Sequence, residues 1–240
     1  MATGRRMQPS CIKDFDRTAI DAEADAGPRV LDEAQLERVG RAKQIWDEGI
    51  DPRRTIAEVY LRQHRKLELP DHIAGNVLRF HPRCPWRNES TGKTEYVTAL
   101  IAAFRSIDDD TITGIHRIRI NADGSKYGRK MLGIIERAAV KLDPVGHNLH
   151  IGEGVESCLA GRQLGFSPAW ALGSVGAISF FPVLDNVQCL LIYAEAGDAS
   201  AQAITICGKR WRRAGRRVRI VKPLNGAADL NDVLMQRTAL

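Results

Sequence analysis

The spacing of apolar residues changes character twice along the chain. From Asp32 to Ile50, Leu36, Val39, Ala42, Ile45 and Trp46 recur at helical spacing, which predicts an amphipathic helix broken by Asp51-Pro52. A second helix is predicted from Thr55 to about Arg65, with Thr55 as N-cap and Ile56, Val59, Tyr60 and Leu61 inward. Residues 76 to 131 then read as β-structure. NVLRFHP is a short strand, Arg83 to Lys93 a polar exposed loop, YVTALIAAFRS a buried strand and ITGIHRIRIN an alternating one. Asp123-Gly124 is a hairpin signal.

From His150 onward, apolar strands alternate with helices. LHIGEG is a strand and turn, VESCLAGRQLG a helix closed by Gly165, and AWALGS a strand. CLLIYAE is an apolar strand, and ASAQAITICGKRWRRAG a helix with Gly215 past its end. RRVRIVKP is a strand, and DLNDVL starts a short helix. This rhythm predicts a parallel sheet covered on both faces. The strand order cannot be read from the pattern. The expected division is a flexible leader over residues 1–33, an α+β region over 34–148 and an α/β domain over 149–237.

Acidic residues fall where those strands end. Glu153 follows LHIG, Glu195 closes CLLIYAE with Asp198 three residues on, and Asp229 and Asp232 lie past RRVRIVKP. Parallel sheets gather ligands at the C-terminal ends of their strands. Carboxylates converging there repel unless a cation or protons neutralise them. Mg²⁺ takes one or two carboxylates completed by water and phosphate, which suits phosphoryl transfer. Each acid also has an ordinary use. Glu153 and Glu195 could complement helix dipoles, and Asp229 could be an N-cap.

Composition adds a mild bias. The formal net charge is +6 over 240 residues, and KRWRRAGRRVR (209–219) is either a solvated helix end and turn or a phosphate-contacting patch. The five cysteines are scattered without zinc-ribbon spacing, so no zinc is expected and most thiols should be buried. No window of about 18 apolar residues occurs, and MATGRRMQPSCIKDFDR has no apolar stretch of a secretory signal. These observations predict a cytoplasmic protein with no membrane partner. No G-x-x-x-x-G-K-[ST] loop and no G-x-S-x-G motif is found.

The segments IGEGVESCLAG (151–161), AWALGSVGAISFF (169–181), LLIYAEAGDASAQA (190–203) and DLNDVL (229–234) together resemble the Toprim domain of mobile-element (plasmid and phage) primase-like proteins. Upstream, 41–70 resembles the segment preceding Toprim in such proteins. GIHRIRINADGSKYGRKMLG (114–133) is similar to the basic strand-turn element of the primase core. The resemblance implies a DNA replication protein that performs Mg²⁺- or Mn²⁺-dependent nucleotidyl transfer on a single-stranded DNA template. Its partners would be nucleoside triphosphates and a separate replicative helicase.

The resemblance also assigns roles. Glu153 and Glu195 would be catalytic carboxylates, and the metal set would be Glu153, Glu195, Asp198 and Asp229. Arg117, Lys126 and Lys130 would hold nucleotide or template. The D-x-D pair of the family is altered: Glu195 stands for the first acid and Gly197 for the second. Three readings therefore stay open: a primase-type nucleotidyltransferase, a catalytically impaired nucleic-acid-binding accessory module of a mobile element, and a Toprim nuclease.

Overall fold

The computed structural model describes residues 30–237. The expected leader up to residue 29, and Cys11 within it, lie outside the described residues. Helix α1 (Glu33–Asp47) starts at a reciprocal cap. The Asp32 carboxylate accepts from the Gln35 amide at 2.8 Å, and the Gln35 side chain accepts from the Asp32 amide at 3.0 Å. The helix buries Ala42, Ile45 and Trp46. Leu36, expected on the same stripe, is 57% exposed, because the apolar contact begins only at the second turn. Helix α2 (Ile56–Val59) is capped by Thr55 as expected and widens into a π-turn at Tyr60–His64. That turn buries Tyr60 and Leu61.

Strands β1 (Leu78–Arg87), β2 (Thr94–Ser106), β3 (Ile112–Ile120) and β4 (Lys126–Gly133) form an antiparallel meander. The loop expected over Arg83 to Lys93 is shorter than the sequence implied, because strand β1 continues to Arg87. A register shift between His81 and Cys84 resets the pairing and lets Cys84 and Trp86 turn inward. Pro82 and Pro85 are tolerated there because β1 pairs with only one other named strand.

The remaining elements are β5 (Ala138–Lys141), β6 (Asn148–Gly152), α3 (Val155–Gln163), β7 (Ala169–Ala171), α4 (Val175–Ser179), β8 (Cys189–Tyr193), α5 (Asp198–Arg213), β9 (Arg217–Val221) and α6 (Leu230–Arg237). Strand β5 and helix α4 were not anticipated. The former is only AAVK, and the latter is one turn and a half started by the Ser174 side chain, which accepts from the Ala177 amide. The sheet is nine-stranded and runs β4-β3-β2-β5-β7-β6-β8-β9, with β1 beside β2. Strands β7, β6, β8 and β9 are mutually parallel, as the alternating pattern predicts.

The two sequence regions do not stand apart. Strand β5 pairs with the end of β2 through Arg105↔Ala139 and with β7 through Val140↔Ala171, so one sheet spans both. The largest core is shared as well: Tyr60, Leu61, Phe104 and Ile118 pack in the same cluster as Cys158, Leu159, Tyr193 and Leu230. A second core lies on the other face of the parallel strands, where Phe181 stacks on Trp211 with ring centroids 5.9 Å apart. A third seats α1 on the meander. Among the described residues no helix is long and apolar enough to cross a membrane.

Candidate functional site

Strand β6 has β7 on one side and β8 on the other. The chain therefore reverses its direction of sheet growth between β6 and β8, which opens a crevice at their C-terminal ends. Glu153 is the first residue past β6, and Glu195 lies two residues past β8. The third acid arrives by a different route. The Ala196 amide donates to the Ala228 carbonyl at 2.9 Å, which draws the start of α6 against the β8 loop. One oxygen of Asp229 caps α6 by accepting from the Asp232 amide at 2.9 Å. Its other oxygen accepts from the Ser157 hydroxyl, also at 2.9 Å. The same hydroxyl makes a long 3.5 Å contact with Glu195.

Glu195 registers this crowding. Burial first, then the charges of Glu153 and Asp229, push its carboxyl up to about 7, against the opposing pull of Arg129 and the Gly154 amide. A groove of about 390 Å³, lined by Ala194, Ala201, Ile204, Ile220 and Lys222 among others, adjoins Glu195 and keeps its surroundings apolar. Arg129 pairs with Glu153 at 3.1 Å. The expected acids thus divide. Glu153 and Asp229 both act on Glu195, whereas Asp198 is exposed in the first turn of α5. No hydrogen bond or ion pair among the described residues ties Asp198 to the other three.

Gly197 has φ 110° and ψ 158°, a region that side-chain-bearing residues rarely enter. The second acid that the resemblance implies is therefore absent, and the backbone there disfavours one. Gly197→Asp is expected to lower stability by about 1–2 kcal/mol through backbone strain alone, since nothing lies within 4 Å of a Cβ placed there. A urea midpoint compared with wild type checks this.

The basic positions are divided by strand parity. Arg117 pairs in register with Lys130, and Ile118 with Arg129. Side chains alternate faces along a strand, so Arg117 and Lys130 share one face and Arg129 takes the other. Ile118 belongs to the core that packs against α3, which places Arg129 on the crevice side. Arg117 is 8% exposed and donates to the Pro85 and Met131 carbonyls at 2.7 and 3.2 Å. Lys130 donates to the Arg87 carbonyl at 2.6 Å and pairs with Glu89 at 2.7 Å. Both cations lie near the Trp86 ring. Lys126 reaches the crevice face, because the register shifts between Arg119 and Ile120, but its ammonium is held by Glu156 at 2.6 Å. The structure therefore does not bring Arg117, Lys126 and Lys130 together. Arg129 and Ser157 complete the acid site instead.

Behind the crevice, Glu156 is buried and also accepts from the Tyr60 hydroxyl at 2.8 Å. Arg65 donates to the same hydroxyl at 3.1 Å. His116 lies 1% exposed on the crevice face, with neither ring nitrogen hydrogen-bonded, and burial lowers its pKa to about 4. It is a neutral packing residue.

The donor set of Glu153, Glu195 and Asp229 is all oxygen, which suits a hard divalent cation. No group of three or more His, Cys, Asp or Glu side chains among the described residues is spaced to hold a metal by itself. These carboxylates do not form an all-protein cage, so a hard cation here would need phosphate and water to complete its shell.

Comparison with known proteins bears on both halves of the chain. The family described as "Domain of unknown function (DUF7146)" matches residues 37–142, which run from α1 through β5 and end before the acid site. No curated protein matches the chain. Among solved structures, the DnaG primase catalytic domain bound to ssDNA is similar with a TM-score of 0.58 at 14% identity, covering 86% of this chain and 79% of that one. The DnaG catalytic core gives 0.57 at 14% identity, with 85% and 75% covered. A DNA primase domain from Pseudomonas aeruginosa gives 0.55 at 16% identity, with 82% and 74% covered. The chain thus has a mixed α/β fold of the kind seen in primase domains.

Proposed function

We propose that the chain is a primase-like nucleotidyltransferase that extends a strand on a single-stranded DNA template, with nucleoside triphosphates as substrates. One observation carries this reading: Glu153, Glu195 and Asp229 crowd at the switch-point crevice strongly enough to push Glu195 up to about 7. In the reaction a 3′-hydroxyl oxygen bonds to the α-phosphorus of a nucleoside triphosphate, the bond to pyrophosphate breaks, and the hydroxyl proton leaves. A divalent cation held by one or two of these carboxylates, its shell completed by the triphosphate and water, would supply charge stabilisation for the phosphoryl oxygens. A carboxylate titrating near neutrality suits acceptance of the hydroxyl proton, which is the role proposed for Glu195. Arg129, on the exposed side of Glu153, would position a phosphate. Ser157 would hold Asp229 and Glu195 in mutual orientation.

A second reading is favoured by Gly197. With that backbone closed to an acidic side chain, a non-catalytic nucleic-acid-binding accessory module of a mobile element would have the same crevice without turnover.

The deciding experiment is incorporation of labelled nucleotide on single-stranded templates with Mg²⁺ or Mn²⁺. The primase-like reading expects product from wild type and a loss of about 10²-fold or more in Glu195→Gln. Absence of product from wild type on every template supports the accessory reading. Metal-dependent nicking of DNA, lost in Glu153→Gln, would instead indicate a Toprim nuclease.

A further inference from the structure

Several cations of the chain's first half are paired, whereas a group of cations at one edge of the sheet is bare. In the antiparallel half, Arg53, Arg62, Arg105, Arg119, Arg129 and Lys130 each pair with a carboxylate. Around β9, Lys209, Arg212, Arg217, Arg219 and Lys222 are exposed. Among the described residues none of the five has a carboxylate within ion-pair distance. Two other cations of this segment are built into the fold. Arg210 is buried and donates to the Phe181 and Ser179 carbonyls, and Arg216 donates to Gln188 and the Asp185 carbonyl.

The bare cations gather on and beside one strand. Strand β9 ends the sheet and pairs only with β8. Arg217 and Arg219 lie on the same face of β9, about 6–7 Å apart along the strand. Val218 and Ile220 face α5: Val218 packs in the core beneath that helix, and Ile220 lines the groove beside it. Arg212 lies on that side too, since its guanidinium and Val218 both come within 3.5 Å of the point where a Cβ would stand on Gly208. Lys222 lines the groove beside Glu195. The bare cations therefore flank the free strand on both faces, Lys222 and Arg212 on the α5 side and Arg217 and Arg219 on the other, with Lys222 at the end nearest the acid crevice.

Two general habits of proteins account for parts of this. Charged residues keep an edge strand from pairing with another chain, and cations complement the C-terminus of a helix. Neither habit requires that all five go without a counter-charge, nor that they line up with the crevice.

We infer that the β9 edge is a second nucleic-acid surface, a track of phosphate contacts that carries single-stranded DNA along the outside of the sheet to or from the acid crevice. The occupant is a flexible polyanion whose phosphates Arg212, Arg217 and Arg219 bind one by one. This goes beyond the proposed reaction, because the edge can hold a strand whether or not the crevice turns over nucleotides.

The test is fluorescence anisotropy of a labelled oligo-dT over a range of salt concentrations. The probe variant is Arg212→Ala/Arg217→Ala/Arg219→Ala. The comparison variant removes the same charge elsewhere, at the exposed Lys43, Arg53 and Arg62, each changed to Ala. The edge variant is expected to bind about tenfold more weakly, with the slope of log affinity against log salt reduced by about 2, and the comparison variant to keep most of both. Arg212→Lys/Arg217→Lys/Arg219→Lys should retain most of the affinity. Equal weakening of the edge and comparison variants, an unchanged edge variant, or no binding by wild type would each overturn the inference. So would preferential, edge-dependent binding to vesicles of anionic lipid in place of DNA. None of these outcomes is read from nucleotide incorporation, so failure here is separate from failure of the primase-like reading.

Discussion

Lys126→Met is expected to cost the fold about 3–5 kcal/mol, the usual penalty for removing one partner of a buried ion pair. Lys126 is the only cation within 4.0 Å of Glu156 among the described residues, and Glu156 has a side-chain exposure of only 9%. Burial by itself raises the Glu156 carboxyl. Lys126 leads the groups that reverse this and hold it down at about 2, with the Tyr60 hydroxyl helping. Its ordinary value is 4.5. The unfolded chain therefore takes up this proton before the native state does. The stabilisation is fully present above pH 4.5 and drains away as the pH falls toward 2. Without Lys126 the carboxyl loses its main reason to stay ionised. The variant should then become less unstable, relative to wild type, as the pH falls. Urea midpoints at pH 7 and at pH 4 measure both effects. Adding Glu156→Gln to Lys126→Met should recover much of the loss, because the uncompensated charge is then gone. If Lys126→Met is as stable as wild type at pH 7, the ion pair does not hold the π-turn, β4 and α3 together.

Glu195→Gln should move stability the other way. Glu195 is pushed up to about 7 from 4.5, so between those values the unfolded chain gives up the proton while the native state keeps it. Native stability therefore declines as the pH rises through this window, and the penalty is complete above pH 7. Because Glu195 remains partly exposed, solvent screening discounts the gain from its removal to about 1–2 kcal/mol. The variant is expected to melt several degrees higher than wild type at pH 8 and at nearly the same temperature at pH 4.5. Millimolar Mg²⁺ should raise the melting temperature of wild type at pH 8, since a cation relieves the same repulsion. The variant should respond much less. A residue whose loss stabilises the protein while abolishing nucleotide incorporation marks a site where the fold tolerates strain for chemistry. A variant that is neither more stable at pH 8 nor less responsive to Mg²⁺ would remove the physical basis for the site.

Particular residues show what the sequence made legible. Glu153 and Glu195 could be found because each follows a run of apolar strand residues, and strand ends in a parallel sheet are predictable places. Asp229 could be found as a cap, and it is one, but its link to Ser157 depends on how α6 docks on α3. That docking spans 72 positions of sequence. Arg117 and Lys130 were singled out and Arg129 was passed over, although all three lie on paired strands. Only the register, Ile118 opposite Arg129, assigns each to a face, and register between strands leaves no local mark in the chain. The bulge that turns Lys126 inward is equally silent. Helix α4 was hidden because VGAIS is too short to display a period, and Ser174 was its only clue. The exposed end of KRWRRAGRRVR was visible as charge, but not that Arg210 and Arg216 would be spent inside the fold.

Strand β5 is four residues long, yet among the described residues it is the only strand joining the meander to the parallel strands. Its hydrogen bonds to β7 also close off a row of backbone donors and acceptors that would otherwise face water. A fragment cut at residue 149 would keep the acids but bare that row, offering other molecules a template for cross-strand association. The part of the chain that holds Glu153, Glu195 and Asp229 therefore relies on the other part to cover that row.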